Sequence, residues 1–255
     1  MNACKNIQVH KGERRARILL NRPPLNVMNI AMMREISEAF DDLAPEIDFL
    51  VFEGSGVKAF SAGADAGDHK PERVGEMLQT FHGIFRKLCK SSVVTIAAVH
   101  GHCLGGGFEL ATFCDFSIAE ESAKFGQPEI KLGCFPPVAM ITLPQIAGMR
   151  AATDLILSGR TISAREAQQL GLVSRIVPDG ALDGAVEALL NELRALSPRV
   201  LGMARRALWE AAGFNFDRRL KIVEDFYLSE LIKTEDAQEG IRAFLEKRDP
   251  AWHGR

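Results

Sequence analysis

The sequence predicts an α/β fold in which strand–turn–helix units follow one another, with a mainly helical region at the end of the chain. Short runs of apolar and β-branched residues, such as residues 93–99, are typical of buried strands. They alternate with segments such as residues 30–43, whose apolar side chains recur with the 3.6-residue period of a helix. After residue 151 the patterns become mainly helical. Such a succession indicates stacked ββα layers.

The first half of the chain holds the predicted strands. Residues 7–21 predict two strands that meet at the turn Lys11-Gly12-Glu13. Arg22-Pro23-Pro24 predicts an extended loop, because proline fixes φ. Further strands are predicted at residues 49–53, 93–99 and 116–119, and helices at residues 30–43, at 72–89 and from Phe108 onward.

The second half predicts helices with few strands between them. They cover residues 151–157, 164–170, 182–196, 198–212, 216–233 and 235–247. We therefore divide the chain into a core, residues 1–195, and a C-terminal helical region, residues 196–255.

Composition narrows the classes of protein. The 255 residues are 47% apolar and 25% charged, which is ordinary for a globular protein, and the net charge of -2 offers no basis for binding nucleic acid. No apolar run reaches the roughly 18 residues of a membrane span, and the first residues lack the apolar core of a signal peptide. The five cysteines form no C-x-x-C pair, so we expect free thiols in a reducing cytoplasm and no metal site.

A glycine-rich turn stands out between the strand at 93–99 and the following helix. Gly105-Gly106-Gly107 lets the backbone approach a ligand with free N–H groups, at the positive end of a helix. It matches neither the dinucleotide fingerprint nor the phosphate loop, and by itself it could be a plain tight turn. Glu109 follows in the helix and Glu129 lies further along, so acid–base chemistry beside an oxyanion is the leading interpretation; solvated charges are the alternative.

Four motifs occur in a familiar order and spacing. They are AFSAGAD (59–65), HGHCLGGGFELA (100–111), CDFSIAEESAKFGQPEIKLG (114–133) and SGRTISAREAQQLGLVSRIV (158–177). Together they resemble the crotonase, or enoyl-CoA hydratase/isomerase, superfamily over essentially the whole chain. The resemblance implies a spiral of ββα units with a C-terminal helical region that makes trimer contacts. It also implies an acyl-CoA substrate, with coenzyme A as its carrier and no metal.

The resemblance assigns roles to individual residues. The backbone N–H groups of Ala64 and Gly106 correspond to the oxyanion hole that binds the thioester oxygen. Glu109 and Glu129 match both family positions that carry the hydratase carboxylates. We expect Glu129 to be the main acid–base residue and Glu109 to hold and polarise water.

Coenzyme A contacts follow from the same resemblance. Arg22, Leu25 and the Ala62 backbone correspond to the loop along the adenine, and Lys58 to a phosphate contact. Phe244 and Lys247 resemble a patch that a neighbouring subunit of a trimer or hexamer offers. Asp65 is a candidate substrate contact, although it and Asp115 are first interpreted as caps that accept hydrogen bonds from backbone N–H groups.

One segment departs from the pattern of many family members. Gly133-Cys134-Phe135-Pro136-Pro137 replaces a glycine-rich turn after the second glutamate, so Pro136 and Pro137 are expected to stiffen one wall of the acyl pocket. His69 is a further pocket candidate, with a surface loop as its alternative place. This segment, with Asp68-His69-Lys70-Pro71, resembles the branch that hydrates cyclohexa-1,5-diene-1-carbonyl-CoA in anaerobic aromatic degradation.

Other activities remain open at this point. An ordinary short-chain enoyl-CoA hydratase, an enoyl-CoA isomerase and a CoA hydrolase would use similar residues. An RNA-binding or scaffolding relative would need a basic stripe interleaved with aromatic residues, which the sequence lacks. The paired glutamates favour hydration.

Overall fold

A computed structural model describes residues 4–211 and 215–254 of the chain. Strands and helices are numbered separately in chain order. The strands are β1 (Ile7–Gly12), β2 (Arg15–Leu20), β3 (Phe49–Gly54), β4 (Ala59–Ser61), β5 (Val94–Val99), β6 (His102–Leu104), β7 (Phe116–Glu120), β8 (Lys124–Gly126), β9 (Thr161–Ser163) and β10 (Arg175–Val177). The helices are α1 (Ile30–Leu43), α2 (Val74–Lys90), α3 (Gly106–Phe113), α4 (Ala139–Ile146), α5 (Gly148–Ser158), α6 (Ala164–Gln169), α7 (Leu182–Arg194), α8 (Pro198–Ala211), α9 (Phe216–Ser229) and α10 (Glu235–Glu246).

Two sheets organise the fold. The larger has the strand order β1-β2-β3-β5-β7-β10 and is parallel except for the β1/β2 hairpin. The smaller has the order β4-β6-β8-β9 and is parallel except between β8 and β9. From β3 to β8 the chain visits the two sheets alternately, so β3-β4-α2, β5-β6-α3 and β7-β8-α4 are successive turns of one spiral. The predicted α/β fold of stacked ββα units is therefore confirmed.

The larger sheet is covered on both faces. Side chains alternate between the two faces along each strand, and each face packs against a hydrophobic cluster. Phe49 and Val51 of β3 pack with Val94 and Ile96 of β5 under α7, through Leu189 and its neighbours. The residues between them point the other way, into the main hydrophobic core. This explains why the strand sequences are continuously apolar rather than alternating.

The C-terminal helices pack against the same main core. Phe216, Leu220 and Tyr227 of α9 and Ile241 of α10 belong to it. Helix α8 is held by a buried ion pair, in which Arg205 Nε donates to Asp115 Oδ2 at 2.6 Å. The division of the chain at residue 195 stays a prediction.

Several predicted bounds need correction. The first hairpin turns at Glu13-Arg14 rather than at the predicted Lys11-Gly12-Glu13, with Arg14 at φ 53°. The predicted helix over 216–233 is interrupted at Glu230, where α9 gives way to a 3-10 helix, Leu231–Lys233. The C-terminal bound predicted at residue 212 lies outside the described residues. None of the helices in the described part of the chain is long and apolar enough to cross a bilayer.

Candidate active site

Three neighbouring strands of the smaller sheet end at the same edge. Because β4, β6 and β8 are parallel, the turns that follow Ser61, Leu104 and Gly126 lie side by side. The turns after β6 and β8 are joined directly, since Gly105 N–H donates to Gly126 O at 2.9 Å. Each of the three turns carries predicted site residues, so the spiral assembles them at one edge.

The backbone N–H groups of Ala64 and Gly106 are neighbours. A Cβ built on Gly106 would lie 3.4 Å from Ala64 N, and one built on Gly63 would lie 3.1 Å from Gly106 N. Gly63 and Gly105 have φ angles of 97° and 53°, in a region that residues with a side chain rarely adopt. Glycine therefore permits both the close approach and the turn.

Both of these N–H groups are free to bind an acceptor. Within the described residues Ala64 N–H donates to no protein acceptor. By contrast, Gly63 N–H donates to Ser61 Oγ, and Asp65 N–H donates to Met28 O. Gly106 is the first residue of α3, where N–H groups have no intrahelical partner and the helix dipole is positive. The pair can hold a negatively charged oxygen.

Glu109 is buried in the first turn of α3. Its side chain is 3% exposed, and its Oε1 accepts a hydrogen bond from Ala139 N at 2.9 Å, at the start of α4. Burial raises the pKa of Glu109 to about 7, although hydrogen bonds from the backbone of Ala139 and Val138 act in the opposite direction. A carboxyl with this pKa exchanges protons readily at neutral pH.

Glu129 lies in the 3-10 helix Pro128–Leu132, opposite the glycine turn. A Cβ built on Gly105 would come within 2.5 Å of its Oε1, so the glycine leaves the space that this carboxyl occupies. Burial raises the pKa of Glu129 well above its ordinary value, and the negative charge of Glu109 raises it further. With the Gln127 amide oriented to pair donor with acceptor, its nitrogen lies 3.1 Å from Glu129 Oε2.

The segment after Glu129 joins the two carboxyl groups. Cys134 Sγ donates to Glu129 O at 3.4 Å, and five residues later Ala139 N donates to Glu109. Pro136 and Pro137 are buried between these contacts. The proline segment thus lies beside both glutamates, and its use as an acyl-pocket wall stays a prediction.

The sequence reasoning missed several groups at this site. Gln127 lies within a quoted motif, two residues before Glu129, so the motif offered a signal. No sequence signal marks the backbone of Val138 and Ala139, whose N–H groups bind Glu109. Tyr227 of α9 is fully buried against Phe135, with ring centroids 5.0 Å apart, and only tertiary packing brings it there.

The alternative place predicted for His69, a surface loop, is wrong. It lies in a 3-10 helix, Ala66–His69, rather than in an exposed loop, and it is 9% exposed with Nδ1 3.0 Å from Asp65 O. Asp65 caps this helix, since its Oδ1 accepts from Gly67 N at 2.9 Å, and Asp115 accepts from Thr95 N at 2.8 Å. Both aspartates therefore accept from backbone N–H groups, as predicted.

The residues assigned to coenzyme A lie in two places. Arg22 donates to Val27 O at 2.6 Å and lies 3.7 Å from Asp65, while Ala62 N donates to Leu25 O at 2.9 Å, so this loop adjoins the turn after β4. Lys58 is exposed just before β4. By contrast, Phe244 is 54% exposed near the end of α10, and Lys247 is exposed just beyond it.

No group of three or more His, Cys, Asp or Glu side chains in the described ranges is arranged to bind a metal ion. The chemistry available from the assembled residues is proton transfer by one buried and one half-buried carboxyl group, next to two N–H donors for an oxyanion.

Comparison with known proteins identifies the family. The sequence profile described as "Enoyl-CoA hydratase/isomerase" matches residues 12–255. A cyclohexa-1,5-dienecarbonyl-CoA hydratase of Thauera aromatica is 36% identical over 94% of this chain and 93% of its own. A crotonyl-CoA hydratase of Syntrophomonas wolfei is 35% identical over 96% and 97%.

Solved structures agree with this result. An enoyl-CoA hydratase of Bacillus anthracis is 31% identical and superposes with a TM-score of 0.79, over 98% of this chain and all of its own. On the combined evidence of sequence profile, relatives and fold, the chain belongs to the enoyl-CoA hydratase/isomerase family of enzymes, the crotonase superfamily.

Proposed function

We propose that the enzyme adds water to the double bond of an unsaturated acyl-CoA thioester at this site. The observation that carries the proposal is the pair of Glu109, which is buried, and Glu129, which is half-buried, beside the N–H groups of Ala64 and Gly106. Isomerisation moves one proton with one acid–base group, whereas hydration must deprotonate water and protonate carbon. Two carboxyl groups with different environments suit that division of work.

The protons and electrons balance as follows. Glu109, as carboxylate, holds and polarises the water and accepts its proton while the water oxygen bonds to the carbon β to the thioester. The electrons of the double bond move toward the thioester oxygen, whose negative charge the two N–H groups stabilise; one such donor contributes roughly 3 kcal/mol. Glu129, as neutral acid, then gives its proton to carbon, and the pair exchanges protons with solvent to reset.

The acyl group we propose is a cyclic diene, cyclohexa-1,5-diene-1-carbonyl-CoA, with the proton delivered to the far end of the conjugated system. The name of the Thauera aromatica relative and the buried Pro136-Pro137 wall support it, because a stiff apolar wall fits a flat ring. The 35% identity to a crotonyl-CoA hydratase favours a second candidate, a short linear enoyl-CoA.

The experiment that separates these substrates is turnover of the purified enzyme with cyclohexa-1,5-diene-1-carbonyl-CoA and with crotonyl-CoA, side by side. A higher kcat/KM for the ring supports the cyclic substrate. A higher kcat/KM for crotonyl-CoA keeps hydration and discards the ring. Free CoA or a shifted double bond, with no hydrated product, would overturn the reaction class.

Substitution of each carboxyl group tests the assigned roles. Glu129→Gln and Glu109→Gln are each expected to lower kcat by about 10²- to 10⁴-fold with little change in binding of the CoA ester, because each removes a proton-transfer group. Glu121→Gln removes an exposed carboxylate and is the matched control. Turnover of Glu129→Gln equal to wild type would exclude its role.

The remaining assignments belong to the same proposal. Arg22, Leu25, Lys58, Ala62 and Asp65 would contact coenzyme A from one subunit, and Phe244 and Lys247 from a neighbour in a trimer or hexamer. The exposed Phe244 side chain supports such a contact, since its apolar ring is otherwise in water. We place the enzyme in the cytoplasm, where coenzyme A esters and free thiols are both stable.

A further inference from the structure

Helix α10 and the segment that carries Glu129 touch backbone to backbone. A Cβ built on Gly240 of α10 would lie 2.4 Å from Leu132 O and 2.9 Å from Gly133 N. The contact is reciprocal, because a Cβ built on Gly133 would lie 2.7 Å from Asp236 O. Neither position can accept a side chain unless one of the two backbones moves, so these glycines fix the distance between them.

The chain beyond α10 holds the helix in this place. The buried Glu239 carboxylate accepts from Arg242 Nη2 at 2.7 Å, from Arg248 Nη2 at 2.9 Å and from Ala251 N at 3.0 Å. One turn earlier, Asp236 accepts from His253 N at 2.6 Å and from Gly254 N at 2.8 Å. Residues 251–254 thus fold back along α10 and bind Asp236 and Glu239, next to the part of the helix that meets the Glu129 segment.

Helix α10 reaches both sides of the site. Besides the 3-10 helix Pro128–Leu132, it contacts the 3-10 helix Ala66–His69, which begins two residues after Ala64. One element therefore braces the turn with an oxyanion donor and the turn with the acid.

From this geometry we infer that Gly240 and α10 are positioning elements of catalysis: the backbone contact of Gly240 with Leu132 sets the placement of Glu129 against the Gly105 turn. Gly240 touches no reacting group and acts through the 3-10 helix Pro128–Leu132. The inference rests on the proposed role of Glu129. It adds a functional part that lies more than a hundred residues further along the chain than Glu129.

The test is Gly240→Ala, assayed for kcat, KM and the pH profile of hydration. A displacement of about 1 Å at a reacting group lowers the rate by roughly 10²-fold, so we expect kcat to fall by about 10- to 100-fold with KM changed less than about twofold. Gly184→Ala is the matched control, because Gly184 is also a helical glycine but has open space around its Cβ position. Its kcat is expected to equal that of wild type.

A folded Gly240→Ala enzyme whose kcat and pH profile equal those of wild type would overturn the inference. Should that variant not fold, Glu239→Gln loosens α10 without adding an atom at the contact. It is then expected to lower kcat severalfold and to speed hydrogen exchange at residues 129–134; no change in either would overturn the inference. Loss of activity in Glu129→Gln with none in these variants rejects only the positioning role, whereas an active Glu129→Gln rejects the proposed function.

Discussion

At the scale of single residues, the proposed chemistry depends on two carboxyl groups that titrate as a pair. Burial raises the pKa of Glu109 to about 7, and burial together with the charge of Glu109 raises the pKa of Glu129 further above its usual range. Near neutral pH Glu109 is therefore partly ionised, while the raised pKa of Glu129 favours its neutral form. This is the distribution that hydration requires.

The pH dependence of kcat/KM follows from that distribution. Activity needs ionised Glu109, so it should fall about tenfold per unit as the pH drops below about 7. Activity also needs protonated Glu129, so it should fall again at higher pH. A bell-shaped profile from rate measurements with one acyl-CoA would agree; a profile that stays flat from about pH 5 to 8 would contradict the assignment.

Stability should depend on pH at the same residue. The folded pKa of Glu109 exceeds its unfolded value of 4.5. The buried carboxyl is therefore neutral at low pH, where no charge is buried, and its ionisation destabilises the folded state as the pH rises toward 7. The shift corresponds to about 3 kcal/mol. Glu109→Gln should therefore gain about that much over wild type between about pH 4.5 and 7.5 in urea unfolding. A constant difference across this range would show that the carboxyl is not destabilised by burial.

At the scale of elements, a buried cation ties α8 to residues just before β7 and just after α2. Arg205 is 5% exposed, and it donates to Asp115 Oδ2 and to Ser91 O, both at 2.6 Å. Arg205→Met should lower the free energy of unfolding by about 3 kcal/mol or more, because it leaves a half-paired carboxylate inside the protein. Arg206→Met, on the exposed side of α8, should change it by less than about 0.5 kcal/mol. Equal effects in denaturant unfolding would contradict this explanation.

The elements also show which parts of the fold a sequence can predict. Helix α1 was predicted to the residue, because its apolar period is sustained over fourteen positions and Asn29 caps it. Strands β4, β6, β8, β9 and β10 were missed, because each has three residues and three positions carry too little alternation. Helix α4 was missed because it follows Pro136-Pro137 and contains Pro144, which weaken any helical pattern.

The same distinction holds within the site. Glu109, Glu129 and the glycine turn could be predicted, because the chemistry requires those residue types and the motif preserves their spacing. Gln127, Tyr227 and Gly240 could not be assigned, since their importance comes from which atoms they meet after folding. A glycine in a helix, such as Gly240, gives no sign in the sequence that a second backbone will lie against it.

At the scale of the whole molecule, the site is assembled from parts that are distant along the chain. Ala64, Gly106 and Glu129 come from three successive turns of the spiral, and Gly240 comes from the last helix. Each part meets the others only when parallel strands β4, β6 and β8 are paired, which is a long-range arrangement.

Refolding should show this order. Chains of this length commonly pass through intermediates that have secondary structure but incomplete packing. After dilution from urea, we expect the helical circular dichroism signal to recover first and hydratase activity to recover in a distinctly slower phase. Coincident recovery of the two signals would indicate that the site forms together with the helices.

The alternating path between the two sheets makes the proposed activity depend on several turns of the spiral at once. Three successive turns of the spiral, which follow β4, β6 and β8, supply the N–H donors and the carboxyl groups, so a chain that lacks any one of these turns lacks a group that the proposed reaction uses.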